Sequence, residues 1–145
     1  MILSVGSSSP GGEASDMEKN VPADTPDSDC PFCGVAFESQ IVETCGTVVA
    51  VEDATPVSEG HMLIVTRRHT EDIFSMTDEE RLDAMKMVGK LRRRALEIDP
   101  SITGFNVGAN CGASAGQHVM HAHIHFIPRR DTESVKGVIR NKMAY

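Results

Sequence analysis

A chain of 145 residues with 40% apolar side chains has room for one domain around one core. No apolar run approaches the roughly 20 residues needed to span a bilayer. The short apolar start at residues 1–5 lacks the basic flank and long apolar stretch of a secretory leader, so a cytoplasmic location is the default expectation. The net charge of −7 is concentrated near the start: Glu13, Asp16, Glu18, Asp24, Asp27 and Asp29 face only Lys19. The remainder is nearly neutral, which speaks against a nucleic-acid groove, since that needs a concentrated basic surface.

Residues 1–29 are rich in Ser, Gly, Pro and acids and hold few bulky apolar side chains. Such a segment cannot bury enough surface to offset its ordering entropy, so it reads as a disordered acidic arm, with Met17 as an alternative start. The domain is expected over residues 30–145. Residues 40–52 read as two short strands around Gly46, and residues 61–66 as a third after the turn-rich stretch from Pro56 to Gly60. A helix is expected over 78–98. Thr77 and Glu80 form a capping-box pair, and Leu82, Met85, Val88, Leu91 and Ala95 recur at helical spacing as its apolar face. Arg92, Arg93 and Arg94 suit the negative pole near its end, and Pro100 closes it. Residues 103–109 and 119–127 read as two more strands, joined through the small-residue loop 110–116. Strands, one long helix, then strands favour an α+β fold with an antiparallel sheet of about five strands.

The chemistry concentrates in residues 118–127. His121, His123 and His125 follow one another at i, i+2 and i+4, a spacing that places three imidazoles on one face of a strand, with Ala122, Ile124 and Phe126 turned to a core. Aligned imidazoles suit a metal site or nucleophilic catalysis; the plainer reading is the polar face of an alternating strand. Upstream, Cys30-Pro-Phe-Cys33 is a C-x-x-C pair, ambiguous between redox and metal. A thioredoxin-type pair opens a helix after a strand, whereas this one follows the acidic arm.

The run His121-Ala-His123-Ile-His125-Phe-Ile127 resembles the signature of the histidine triad (HIT) family, three histidines alternating with apolar residues. Gly104-Phe-Asn-Val-Gly-Ala-Asn110, Ala115-Gly116-Gln117, Asp53, Gly60-His61-Met-Leu-Ile-Val65, Arg68-His69 and Pro128-Arg129 extend the resemblance over about residues 30–130. It implies a nucleotide hydrolase or nucleotidyl transferase in which the middle histidine, His123, attacks the α-phosphorus of a bound nucleotide. Water then splits the nucleotidyl-histidine and releases the nucleoside monophosphate. The resemblance implies that His125 and Asn110 contact the phosphate and that His61 sits near the reacting phosphate or leaving group. It also implies that Asp53 accepts from the ribose hydroxyls and that Gln117 belongs to the substrate-binding framework. Position 118, often Ser or Thr in the family, is His118 here, a candidate phosphate or leaving-group donor if the backbone bends there.

A branch of the family, and the related galactose-1-phosphate uridylyltransferases, bind structural zinc through such a cysteine pair and two histidines. The matching set is Cys30, Cys33, His69 and His121, with no catalytic metal required; His121 would then brace the nucleophile. Diadenosine polyphosphates and adenosine phosphoramidates are both candidate substrates. The basic residues of the tail, from about Arg129 to Tyr145, tilt the reading weakly to polyphosphates. A homodimer is implied as well. The competing classes are a nucleotide-binding regulatory module with little turnover and a metalloenzyme using the histidines on an open metal.

Overall fold

The computed structural model describes residues 29–131; the acidic arm before it and the tail beyond Asp131 lie outside the described residues. In chain order there are a one-turn helix α1 (Val35–Glu38), strands β1 (Ile41–Cys45), β2 (Val48–Glu52) and β3 (Met62–Thr66), helix α2 (Asp78–Ile98), and strands β4 (Ile102–Gly108) and β5 (His123–Arg130). The strands form one antiparallel sheet in the order β1-β2-β3-β5-β4. The α+β expectation holds, with five strands and one long helix. The last strand inserts between β3 and β4, so the histidine run lies inside the sheet.

The β1–β2 hairpin turns at Gly46, whose φ of +58° suits a residue without a side chain. A Cβ there would collide with the Asp83 carboxylate. That carboxylate accepts the backbone N–H of Thr47 at 2.8 Å and its hydroxyl at 2.7 Å, tying the hairpin to α2. Strand β3 is buried throughout, because both faces of the sheet are covered. On one face Ala50, Met62, Ile64, Ile124 and Phe126 pack against Ala84, Met87 and Leu91 of α2. On the other, Val49, Val51, Leu63 and Val65 pack against Phe37, with Phe32 and Ile41 beside them.

Helix α2 begins as the sequence implies. The Thr77 hydroxyl accepts from the N–H of Glu80 at 3.0 Å, and Glu80 accepts from the N–H of Thr77 at 2.8 Å. Its buried face differs from the expected one. Val88, Leu91 and Ala95 do turn toward the sheet, but Ala84 and Met87 complete that face. Leu82 and Met85 are more than half exposed. The arginine triplet also departs from expectation: the last turn holds no basic residue. Arg94 instead donates to the Val42 carbonyl at 3.4 Å, and Lys90 to that of Thr44 at 3.0 Å, stitching the helix to the edge strand β1.

At the far end of α2 the Asp99 carboxylate is held well below its usual range, to about 2. Hydrogen bonds from Ser101 act first, with the Arg130 guanidinium reinforcing them. A depressed folded-state pKa contributes stability above the unfolded value of about 3.9 that is lost as pH falls through the folded one. The thermal midpoint of Asp99→Asn should therefore lie below that of the wild type by a constant margin above about pH 4. The gap should close as pH falls toward 2, and a gap that widens instead would contradict this assignment. Arg130 also donates to the Ser58 hydroxyl and the Glu59 carbonyl, fastening the loop that leads into His61.

Candidate functional site

Strand β5 starts at His123, four residues later than the sequence suggests, because residues 119–121 form a bend. His123 and His125 share the face of Leu63 and Val65, their register partners being Val65 and Leu63 respectively. His121 lies ahead of the strand, and its ring joins a different cluster. The bend also removes the parity objection to His118, which reaches the same cleft as His123 and His125.

His123 is fixed in one tautomer. Its Nδ1 lies 2.7 Å from the backbone carbonyl of His121, which can only accept, so Nδ1 carries the proton and Nε2 keeps a lone pair. The ring lines a cleft of about 420 Å³, within the usual range for small-molecule sites, about 300–1,000 Å³. Its lining combines apolar Pro31, Phe32, Val51 and Leu63 with Asn110, Gly116, His118, His123 and His125.

Behind His125 lie His61 and Asp53. The backbone N–H of Val57 donates to His61 Nδ1 at 3.1 Å, so the proton of the neutral ring sits on Nε2. That Nε2 is 3.0 Å from His125 Nδ1 and 3.3 Å from Asp53 Oδ2. His125 accepts there, and its own proton is placed on Nε2. The three side chains have the spacing of a metal site, but a ring whose second nitrogen already accepts an N–H would have to bind an ion as imidazolate. The Val57 contact therefore favours a hydrogen-bonded relay.

His61 and Gln117, both expected near the substrate, are buried. His61 is only 1% exposed and meets the cleft through His125. Gln117 is buried, and its amide is taken up by backbone: Oε1 accepts from Gly112 at 2.7 Å, while Nε2 donates to Glu71 and Val119 at 2.8 and 3.0 Å. It braces the loop. Asp53 lines the cleft as expected, but Oδ1 already accepts the N–H and hydroxyl of Thr55 at 2.8 and 3.2 Å, and Oδ2 faces the histidines. Asn110 is buried in the cleft lining and donates to the Gly116 carbonyl at 3.3 Å.

The second cluster brings Cys30, Cys33, His69 and His121 together, with their donor atoms within 4.8 Å of one another. His121 Nδ1 lies 3.4 and 3.6 Å from the two sulfurs and 3.2 Å from His69 Nδ1; Cys33 Sγ lies 3.3 Å from His69 Nδ1. A tetrahedral ion with ordinary zinc–sulfur and zinc–nitrogen lengths requires edges of about 3.3 Å between nitrogens and about 3.5 Å from nitrogen to sulfur. The set fits. His121 Nε2 donates to the Thr66 carbonyl at 2.7 Å, which leaves Nδ1 its lone pair. Burial drives the His121 pKa down to about 4, so the ring is neutral near pH 7, as a metal ligand must be.

Sequence reasoning missed Phe32. It sits between the two cysteines with its ring centroid 5.7 Å from that of His121 and 5.4 Å from that of His123, so the cysteine loop forms one wall of the histidine-lined cleft. An aromatic residue inside the C-x-x-C pair was the available signal. The Thr66 carbonyl and the Val57 N–H had none, being backbone groups.

The HIT domain family model matches residues 36–132, beginning just after the cysteine pair. An uncharacterised HIT-like protein of Mycoplasma genitalium is 35% identical over 129 residues, 87% of each chain. An adenosine 5'-monophosphoramidase of Saccharomyces cerevisiae is 34% identical over 114 residues, 76% of this chain and 68% of that one. Among solved structures, a zinc-bound histidine triad family protein of Mycobacterium smegmatis superposes with a TM-score of 0.60 at 26% identity, covering 65% of this chain and 68% of that one. With the family model matching residues 36–132 and a relative 35% identical over 87% of the chain, the chain belongs to the HIT family.

Proposed function

We propose that this chain is a nucleotide hydrolase or nucleotidyl transferase acting at the α-phosphorus of nucleoside phosphoramidates or diadenosine polyphosphates, with His123 Nε2 as nucleophile. The observation that carries the reading is the bond from His123 Nδ1–H to the His121 carbonyl. It aligns the ring and makes Nε2 the nucleophilic nitrogen near pH 7. In the first step Nε2 bonds to phosphorus and the leaving group departs; in the second, water displaces the histidine and the nucleoside monophosphate is released. His125 Nε2–H and the Asn110 side chain neutralise the phosphate oxygens. The apolar residues of the lining, Pro31, Phe32, Val51 and Leu63, take the base. Asp53 holds the His61–His125 pair and is the carboxylate within reach of a ribose hydroxyl. Release of AMP from a panel of adenosine phosphoramidate, diadenosine triphosphate and diadenosine tetraphosphate tests this. Tight nucleotide binding with no release from any of them would promote the regulatory-module reading in its place.

Zinc at Cys30, Cys33, His69 and His121 fits the donor set and would supply a structural clamp on the wall of the cleft, with no part in bond breaking. Thiolate ligands require a reducing compartment, in keeping with a cytoplasmic protein. The apolar surface supports a homodimer: Leu82 and Met85 are exposed on α2, and β4 is an edge strand with Val107 44% exposed. The double substitution Leu82→Glu, Met85→Glu should convert a dimer to monomer in sedimentation equilibrium while leaving the far-ultraviolet spectrum intact. An unchanged sedimenting mass would move the interface elsewhere.

A further inference from the structure

We propose that Arg130 is a positioning residue: it clamps the turn that sets the proton of His61, and through His61 it decides that His125 offers an N–H to the cleft. Its effect on turnover rests on the function proposed above; its effect on the ring protons does not.

All three guanidinium nitrogens of Arg130 are engaged. Nε and one Nη donate to Asp99 Oδ2 at 3.0 and 2.8 Å, while the other Nη donates to the Ser58 hydroxyl at 3.0 Å and the Glu59 carbonyl at 3.1 Å. Asp99 is the C-cap of α2 and also accepts the N–H and hydroxyl of Ser101. The guanidinium is thus anchored to the helix and grips the turn with its free edge. A compact ammonium cannot span those acceptors in the fixed plane that a guanidinium provides. The same strand makes a second contact: a Cβ at Gly60, whose φ is +91°, would lie 3.2 Å from Pro128 Cγ. Strand β5 therefore closes on the 58–60 turn at two points, and it also carries His125.

The turn in turn holds His61. The Ser58 carbonyl accepts the His61 N–H at 3.1 Å, and the Val57 N–H donates to the ring at Nδ1, also at 3.1 Å. The second bond places the ring proton on Nε2, because the protonated nitrogen follows from the bond that the other one makes. An outward shift of the turn by about 0.5 Å would break it. With Val57 withdrawn, Nδ1 can carry the proton. Nε2 then accepts from His125 Nδ1–H across their 3.0 Å contact, and His125 turns a lone pair toward the phosphate in place of an N–H. The Asp53 carboxylate, 3.3 Å from His61 Nε2, opposes that exchange, so loss of the clamp leaves a mixture of the two arrangements. Arg130, Asp99 and Ser58 do not line the cleft, so their removal takes no contact from a bound nucleotide.

The test reads the protons directly. Nitrogen-15 spectra, recorded well above the ordinary histidine pKa of about 6.5, should place the protons of His61 and His125 on Nε2 in the wild type. In Arg130→Met, which keeps the apolar stem and removes the donors, both rings should show a second population protonated at Nδ1. Arg130→Lys should show a smaller one. For AMP release, kcat of Arg130→Met should fall about 10–100-fold with KM little changed, below the roughly 10²–10³-fold cost of removing one such donor outright. Asp83→Asn, which loosens the Thr47 turn at the opposite end of β2, is the control for a merely structural role: its midpoint should fall while its ring protons stay in place. Unchanged ring protons in a folded Arg130→Met protein overturn the assignment, as does a proton shift that leaves kcat unchanged or appears equally in Asp83→Asn. A wild type that releases no AMP from any substrate fails the parent reading alone, and the ring protons still decide the clamp.

Discussion

Replacing His123 by alanine should abolish turnover, lowering kcat by about 10⁴–10⁶-fold, the scale on which removing a covalent nucleophile acts. Neither of the other two triad histidines can substitute. His125 presents an N–H to the cleft, and the lone pair of His121 Nδ1 points into the cysteine cluster. Stability should change little, because His123 is half-buried at a cleft wall and the Ile124 and Phe126 side chains that hold the strand face the opposite core. The measurement is AMP release alongside the thermal midpoint. In the wild type, acid quenching during turnover should trap a nucleotidyl adduct that peptide mapping places on His123. Full activity in a folded His123→Ala protein, or an adduct on another residue, would reject the mechanism.

Metal removal should produce the largest change in stability. The segment carrying Cys30, Phe32 and Cys33 meets the sheet through the cysteine–histidine cluster and the rings of Phe32 and Phe37, which lie 5.7 Å apart. Peptides whose whole fold depends on zinc gain about 10–16 kcal/mol from it. Here the α2-side core stands independently, so Cys30→Ser with Cys33→Ser should cost a smaller amount, about 3–5 kcal/mol, seen as a midpoint lower by roughly 10–20 °C. Chelation of the wild type should act similarly, and elemental analysis should find zinc in stoichiometric amount. Activity should decline with the loss of structure and not ahead of it. A metal-free protein of unchanged midpoint would leave the cysteines as a reduced thiol pair. Loss of activity before any unfolding would revive a catalytic metal.

Much of this architecture is written locally. Helix α2 was legible at both ends because Thr77 and Glu80 satisfy each other's backbone groups and Pro100 follows Asp99. Its buried face was misjudged because spacing alone cannot separate a stripe that meets the sheet from one that meets another surface, and Leu82 and Met85 belong to the second. The placement of β5 between β3 and β4 depends on pairings distant in sequence, such as Val65 with His123, and no local pattern encodes them. The triad spacing identified His123 and His125, yet the bend at residues 119–121 turned what read as one row of three imidazoles into two sites. Gln117 sits beside the cleft residues in sequence, and no local pattern signals the three backbone groups that converge on its amide.

The hydrogen bond that orients the His123 ring ends on a main-chain oxygen, that of His121. Every amino acid carries that oxygen, so the acceptor survives any substitution at position 121 that preserves the path of the chain. Mutational drift can thus change or discard the side chain of His121, and with it the metal cluster, while the tautomer of His123 persists. Lineages of this fold are free to lose the cysteine–histidine cluster without first inventing a new partner for the His123 ring.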